Sequence, residues 1–165
     1  MNGLAQDERT FFYYKKQRES AMIPFLMITF HFKSNHVMLK VVAGIIMDQG
    51  KIFLARRAGH KSNPGKWEFP GGKIESHEDP ESALTRELFE EFGVITRTGR
   101  FIGSNTHDYT DFKIQLMAFE SFWISGQFQL KDHDRIDWVL LEDLNKYDLS
   151  EADLPLVSKL NDIWF

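Results

Sequence analysis

The order of apolar patterns along this chain predicts an α/β domain of the α+β kind, with strands and two helices in packed layers. Three observations predict it. Residues 41–47, V-V-A-G-I-I-M, are a continuous apolar run of strand length. Apolar residues at helical spacing, Leu84, Leu88 and Phe92, mark a helix that ends at Gly93. A second helical stripe, Leu156, Val157, Leu160 and Ile163, lies near the C-terminus.

Residues 1–38 do not share this patterning. Phe11-Phe12-Tyr13-Tyr14 followed by Lys15-Lys16 has neither a two-residue nor a 3.6-residue period. Two readings of this N-terminal extension stay open: an arm that packs on the domain or a partner, or sequence upstream of a translation start at Met22 or Met38. The domain proper is expected over 39–165. Its first strand, 41–47, turns at Asp48-Gln49-Gly50 into a second over 51–56. Residues 56–65, R-R-A-G-H-K-S-N-P-G, form a basic loop and a candidate clamp for phosphate or base. A short extended segment from Trp67 then passes through Gly71-Gly72. The first helix opens at Asp79, or at His77-Glu78, with Pro80 in its first turn. Strands are expected over 95–101 and 113–125, with Tyr109-Thr110-Asp111 as a turn between them. Residues 130–135 read as a polar loop and 136–141, with Trp138, as another strand. The last helix is expected over 150–165, N-capped by Ser150 with acids in its first turn.

Composition narrows the function classes. At 165 residues, 42% hydrophobic and 27% charged, the chain suits one globular domain. A net charge of −4 gives no general electrostatic grip on duplex nucleic acid, and no stable nucleic-acid complex is expected. The absence of cysteine excludes disulfides, thiolate metal sites and cysteine nucleophiles, and fits a reducing cytoplasm. The apolar stretch 22–32 is too short to span a membrane and lacks a small-residue cleavage site, so neither a membrane anchor nor a secretion signal is expected. A monomer or homodimer is expected.

The chemistry concentrates on the first helix. Glu87, Glu90 and Glu91 stand at i, i+3 and i+4 and so project from one side. Like charges at that spacing repel by roughly a few tenths of a kcal/mol per pair, which a divalent cation between them relieves. Magnesium takes oxygen ligands in octahedral geometry and keeps waters or substrate phosphates in its shell. Arg86 cannot be a ligand but can orient one carboxylate by a charge-assisted hydrogen bond. On its own, Glu-x-x-Glu-Glu reads more readily as a solvated acidic face.

The full pattern decides between these readings. Gly72, five residues, Glu78, seven residues, then Arg86-Glu87-Leu88-x-Glu90-Glu91-x-Gly93-Val94 matches the Nudix box at every defining position. A chance match at one start point is on the order of one in a billion. The chain resembles the Nudix hydrolases, and from about residue 39 to 160 it is similar to their MutT-type branch. That resemblance implies an α/β/α sandwich with a mixed central sheet. It also implies magnesium-dependent hydrolysis of a nucleoside diphosphate linked to some group X, with manganese as a substitute metal. It implies Glu87, Glu90 and Glu91 as metal ligands, the Gly71 carbonyl as a backbone ligand, Glu78 near the metals, and Arg86 as the brace of Glu87. In such enzymes a loop carboxylate before the tryptophan strand contributes to metal binding or water activation. Asp132 is the first candidate and Asp134 the second, while His133 reads equally as an ordinary surface histidine.

Base recognition calls for an apolar slot with a few placed polar groups. Phe69 and Tyr109 are candidates to stack on or wall the base, although Phe69 reads equally as a core residue. Arg57 is a candidate donor to a base carbonyl, and Asp153 a candidate acceptor from an amino group or protonated ring nitrogen. The MutT that discriminates oxidised guanine has asparagine and arginine where this chain has Asp153 and Phe112. The resemblance therefore implies a pyrophosphohydrolase that splits (deoxy)nucleoside triphosphates, oxidised or cytidine nucleotides among them, in nucleotide pool sanitation. The alternatives are removal of pyrophosphate from the 5′ end of RNA, hydrolysis of another nucleoside diphosphate derivative, and a non-catalytic nucleotide sensor.

Overall fold

Strand β1, Val37–Asp48, is the axis of the computed structural model, which describes residues 37–110 and 112–164. The N-terminal extension up to residue 36 lies outside the described residues, and so does Asp111 of the expected turn. After β1 come β2 (Lys51–Arg57), β3 (Trp67–Glu68), β4 (Gly71–Lys73) and helix α1 (Pro80–Phe92). Then follow β5 (Ile95–Asp108), β6 (Phe112–Ser125), β7 (His133–Leu140), a 3-10 turn at Leu141–Lys146, and helix α2 (Leu154–Trp164).

The sheet is mixed, as expected. β1 runs parallel to β6 from Val37↔Phe112 to Ile46↔Ser121, while β4 and β2 pair with β1 antiparallel. β5 closes one edge against β6, and β3 and β7 both pair with β2. The continuous apolar run of β1 has a plain cause: both faces of the sheet are covered. Val42, Ile46, Phe53 and Ala55 join the layer beneath α1, whereas Ala43, Ile45, Ile52 and Leu54 join the layer beneath α2. None of these eight is more than 1% exposed. Leu84, Leu88 and Phe92 anchor α1 in its layer, each contributing roughly 1.5–3 kcal/mol by leaving water. Gly44 lets that helix sit close, since a Cβ there would lie 3.3 Å from Leu84 Cδ1. Among the described residues no helix is long and apolar enough to cross a membrane.

Three expectations needed correction. The strand expected over 95–101 continues to Asp108, through register shifts at Thr98/Phe101 and Phe101/Gly103. Bulges and the polar run Ser104-Asn105-Thr106-His107 erase the two-residue apolar period there. The polar loop expected over 130–135 ends early, because β7 begins at His133, which is buried and not a surface histidine. Helix α2 starts at Leu154, and Ser150 is not its cap. Residues 150–153 instead form a turn, with the N–H groups of Asp153 and Leu154 donating to the Ser150 carbonyl. Asp153 is turned inward rather than serving the helix: it is 4% exposed and lines a cavity with Phe69 and Ser150.

Candidate active site

Helix α1 is fixed at both ends, which sets the direction of its acidic side. Asp79 caps the first turn, its Oδ1 accepting from Ser82 N–H at 2.9 Å, and Pro80 follows where its missing N–H costs nothing. Gly93 ends the helix in the left-handed region at φ 69° and donates its N–H to the Phe89 carbonyl. Opposite the acidic side runs the segment from Trp67 to Ile74. Its backbone is committed at nearly every step: Trp67 N–H to Asp148, Ser150 N–H to the Trp67 carbonyl, Gly44 N–H to the Pro70 carbonyl, and Ile74 N–H to Lys40. The double glycine is required by close approach. A Cβ on Gly71 would lie 2.0 Å from the Val42 carbonyl oxygen, and one on Gly72 would lie 2.3 Å from Glu87 Cδ.

Arg86 organises three carboxylates. Its Nε and Nη2 each donate to Glu78 at 2.9 Å in a two-pronged pair, and its Nη1 donates to Glu87 at 3.0 Å and Glu90 at 3.2 Å. Arg86 thereby holds Glu78 below the usual carboxylate range. Glu91 is different. Its Oε2 is buried with no hydrogen-bond partner, and its carboxyl is pushed up to about 8 by burial, then by the charges of Glu68, Glu87 and Asp132. Among the described residues no three acidic or histidine side chains converge at metal-ligand spacing, because Glu87 and Glu90 lean to Arg86. The donor set still suits a hard dication: an orphaned carboxylate oxygen among like charges is what such an ion satisfies.

A cavity of about 1360 Å³ opens beside this helix. On one side it is lined by Arg86, Glu87, Glu90, Glu91 and the Gly71-Gly72 backbone. On the other lie Arg57, Phe69, Tyr109, Phe112 and Asp153, so the candidate base-recognition residues share one space with the acidic face. Phe69 is both core and wall, being 3% exposed. The Tyr109 ring leans on Phe112, with centroids 5.1 Å apart, at the tip of the β5–β6 hairpin. Asp153 is 4% exposed, and burial raises its carboxyl well above the usual carboxylate range, the Glu68 charge adding to the effect.

Glu78 and Asp132 stand behind the cavity rather than on its wall. Asp132 pairs with Lys61 Nζ at 2.7 Å, which holds it below the usual range, yet its charge is felt at Glu91. Asp134 is instead taken by Arg56 at 2.7 Å. The loop over 56–65 is therefore not a free cationic clamp. Arg56 and Lys61 are paired with acids, and Arg57 reaches Glu68. Lys66, next along, pairs with Asp148. Sequence reasoning missed Glu68. It lines the cavity, accepts from Arg57 Nη1 at 2.8 and 2.9 Å, and lies 2.8 Å from His133 Nε2. A lone charge in a two-residue strand between Trp67 and Phe69 was the available signal.

A mixed sheet between two helices, with a glycine pair pressed against an arginine-braced glutamate helix, defines a class. The NUDIX domain model matches residues 38–160, and the chain belongs to the Nudix hydrolase family. Its relatives include the CTP pyrophosphohydrolase of Escherichia coli, 38% identical over 120 residues, which are 73% of this chain and 89% of that protein. The 8-oxo-dGTP diphosphatase of the same organism is 35% identical over 127 residues, 74% of this chain and 95% of that protein. The crystal structure of the MutT protein from Methanosarcina mazei superposes with a TM-score of 0.72 at 25% identity, covering 78% of this chain and 96% of that one.

Proposed function

We propose that this Nudix hydrolase splits nucleoside triphosphates, cytidine nucleotides foremost, into the monophosphate and pyrophosphate, with magnesium held at the α1 face. One observation carries the reading: a buried acid, Asp153, lies in the same cavity as Glu87, Glu90 and Glu91. Burial raises the Asp153 carboxyl well above the usual range, and in its protonated form it presents a donor and an acceptor in one plane. Cytosine offers the matching pair, a ring-nitrogen acceptor beside the 4-amino donor. The protonated form adds a donor to the acceptor expected from the sequence. Phe69 and Tyr109 wall the base. Arg57 carries five N–H donors and spends them on Ser62 and Glu68 in four contacts, two of them from one nitrogen, so at least one remains for a base carbonyl.

The candidate metal ligands are Glu87, Glu90, Glu91 and the Gly71 carbonyl. Bound magnesium or manganese supplies charge neutralisation at the phosphates and a water of lowered pKa. Arg86 orients Glu87 and Glu90, and Glu78 in turn orients Arg86. Asp132, paired with Lys61 behind the cavity, acts on the acidic face through its charge on Glu91. Hydrolysis adds one water across a phosphoanhydride P–O–P bond and yields two acids. The 5′-RNA reading is less well supported, because the basic loop it relies on is paired internally.

Incubation with CTP, dCTP, 8-oxo-dGTP, ADP-ribose and capped RNA in magnesium, with products followed by chromatography, tests the proposal. CMP or dCMP with pyrophosphate is expected as the fastest product pair. Inorganic phosphate as the product, faster turnover of the other substrates, or no turnover at all, refutes it.

A further inference from the structure

We propose that His133 is a positioning residue, whose Nε2–H holds Glu68, and through it the Arg57 guanidinium, against the nucleotide cavity. The inference rests on the nucleotide-hydrolase reading above. Arg57 and Glu68 line the cavity; His133 does not. Its side chain is 3% exposed and lies 2.8 Å through Nε2 from Glu68 Oε1.

The placement follows from a backbone irregularity. β2 and β7 pair residue for residue from Lys51↔Leu140 to Arg56↔Arg135, then shift register at Arg56/Arg57, so that His133 stands opposite Arg57. The shift brings a histidine to the Glu68 carboxylate where an unbroken ladder would place Asp134. The ring is clamped on its face by Phe92, with centroids 4.9 Å apart and planes 21° from parallel. Nδ1 is buried and has no partner. Glu68 meets the Arg57 guanidinium as a carboxylate, which only accepts, so the ring nitrogen facing it, Nε2, carries the proton and donates.

Glu68 has two oxygens to satisfy at 15% side-chain exposure, and Arg57 reaches both with a single nitrogen. His133 supplies the second donor group and fixes the carboxylate plane. Arg57 is then gripped from two sides, by Glu68 at Nη1 and by Ser62 at Nε and Nη2. Without the histidine donor the carboxylate is free to turn, and the guanidinium with it. Nothing here touches the scissile phosphate. The effect therefore belongs to nucleotide affinity more than to the chemical step.

The test uses the full chain with His133→Phe, which keeps a ring for Phe92 and removes the donor, and His133→Gln, which restores an N–H near the Nε2 position. KM and kcat are measured for CTP with magnesium, and the dissociation constant is measured for CMP without metal. His133→Phe is expected to raise KM and the CMP constant about tenfold, the worth of one hydrogen bond to a charged group, with a smaller change in kcat. His133→Gln is expected to return within about threefold of the parent. In a Glu68→Ala background, His133→Phe should add nothing. Unchanged KM and CMP binding in a folded His133→Phe protein would overturn the proposal, as would equal losses in both variants or full additivity with Glu68→Ala. Nitrogen NMR of the ligand-free protein separates this inference from the functional reading. A protonated Nε2, with an Arg57 Nε–H signal that shifts in His133→Phe and returns in His133→Gln, supports positioning even if no triphosphate is hydrolysed. A ring protonated at Nδ1, or an unmoved Arg57 signal, refutes it.

Discussion

Replacing Glu91 by glutamine is expected to stabilise the metal-free protein at alkaline pH while removing its activity. Glu91 is pushed from an ordinary value of 4.5 up to about 8, with burial the largest cause. A carboxyl whose folded value is raised holds its proton better in the native state than in the unfolded one. Its contribution is therefore fully present below about 4.5 and is lost as pH rises to about 8. At 1.36 kcal/mol per pH unit the loss has a ceiling of about 5 kcal/mol. Even half of that moves the melting midpoint by roughly 5–10 °C for a domain of this size. Glutamine carries no charge to bury, so its stability should not follow this slope. The assay is thermal or urea unfolding of both proteins at pH 5, 7 and 9 in chelator, then in magnesium. The two should converge at pH 5, and Glu91→Gln should lead at pH 9. Magnesium at a hundred times its dissociation constant should restore about 2.7 kcal/mol to the parent and much less to the variant. Parallel pH curves, or equal gains from magnesium, would refute the reasoning.

Other perturbations follow from the same geometry. Gly72→Ala places a methyl 2.3 Å from Glu87 Cδ and is expected to lower kcat by about a hundredfold or more through displacement of that carboxylate, as steady-state kinetics would register. Asp79→Ala removes the cap of α1 and should cost about 1 kcal/mol in urea unfolding, with activity retained. Asp153→Asn keeps a donor and an acceptor in one plane, so cytidine turnover should stay within about tenfold, while Asp153→Ala should lose more than that in kcat/KM. A dead Asp153→Asn enzyme that is folded would argue for an ionised Asp153. Glu87→Gln should reduce turnover by roughly two orders of magnitude or more, with an unchanged circular dichroism spectrum.

Much of this architecture is written locally. The apolar run of β1, the Asp79–Pro80 opening of α1 and its Gly93 stop each depend on residues within a few positions of one another, and the structure realises them. The spacing of the box is local as well, which is why the acidic helix and its arginine are legible in the sequence. What escaped depends on contacts distant in sequence. His133 is separated from Glu68 by 65 positions, and their meeting requires a register shift that no periodicity records. The late start of α2 has a similar origin. Asp153 looks like a first-turn acid until its burial in the cavity beside Phe69 is known. The continuation of β5 past Phe101 is carried by pairing with β6 and not by its own polar composition.

The segment from Trp67 to Ile74 links the two halves of the cavity, and its rigidity makes it a ruler. At one end Phe69 shares the cavity wall with Asp153; at the other, Gly72 lies against Glu87. The hydrogen bonds between them fix the register against β1, and with it the span from Phe69 to the acidic helix. Inserting one residue would slip every side chain to the opposite face and lengthen the gauge together. On the proposed reading the fold thus measures its nucleotide as well as gripping it. On that reading a nucleotide is cut at the bond that falls opposite α1, a set span from the base seated on Asp153, whatever is attached beyond that bond.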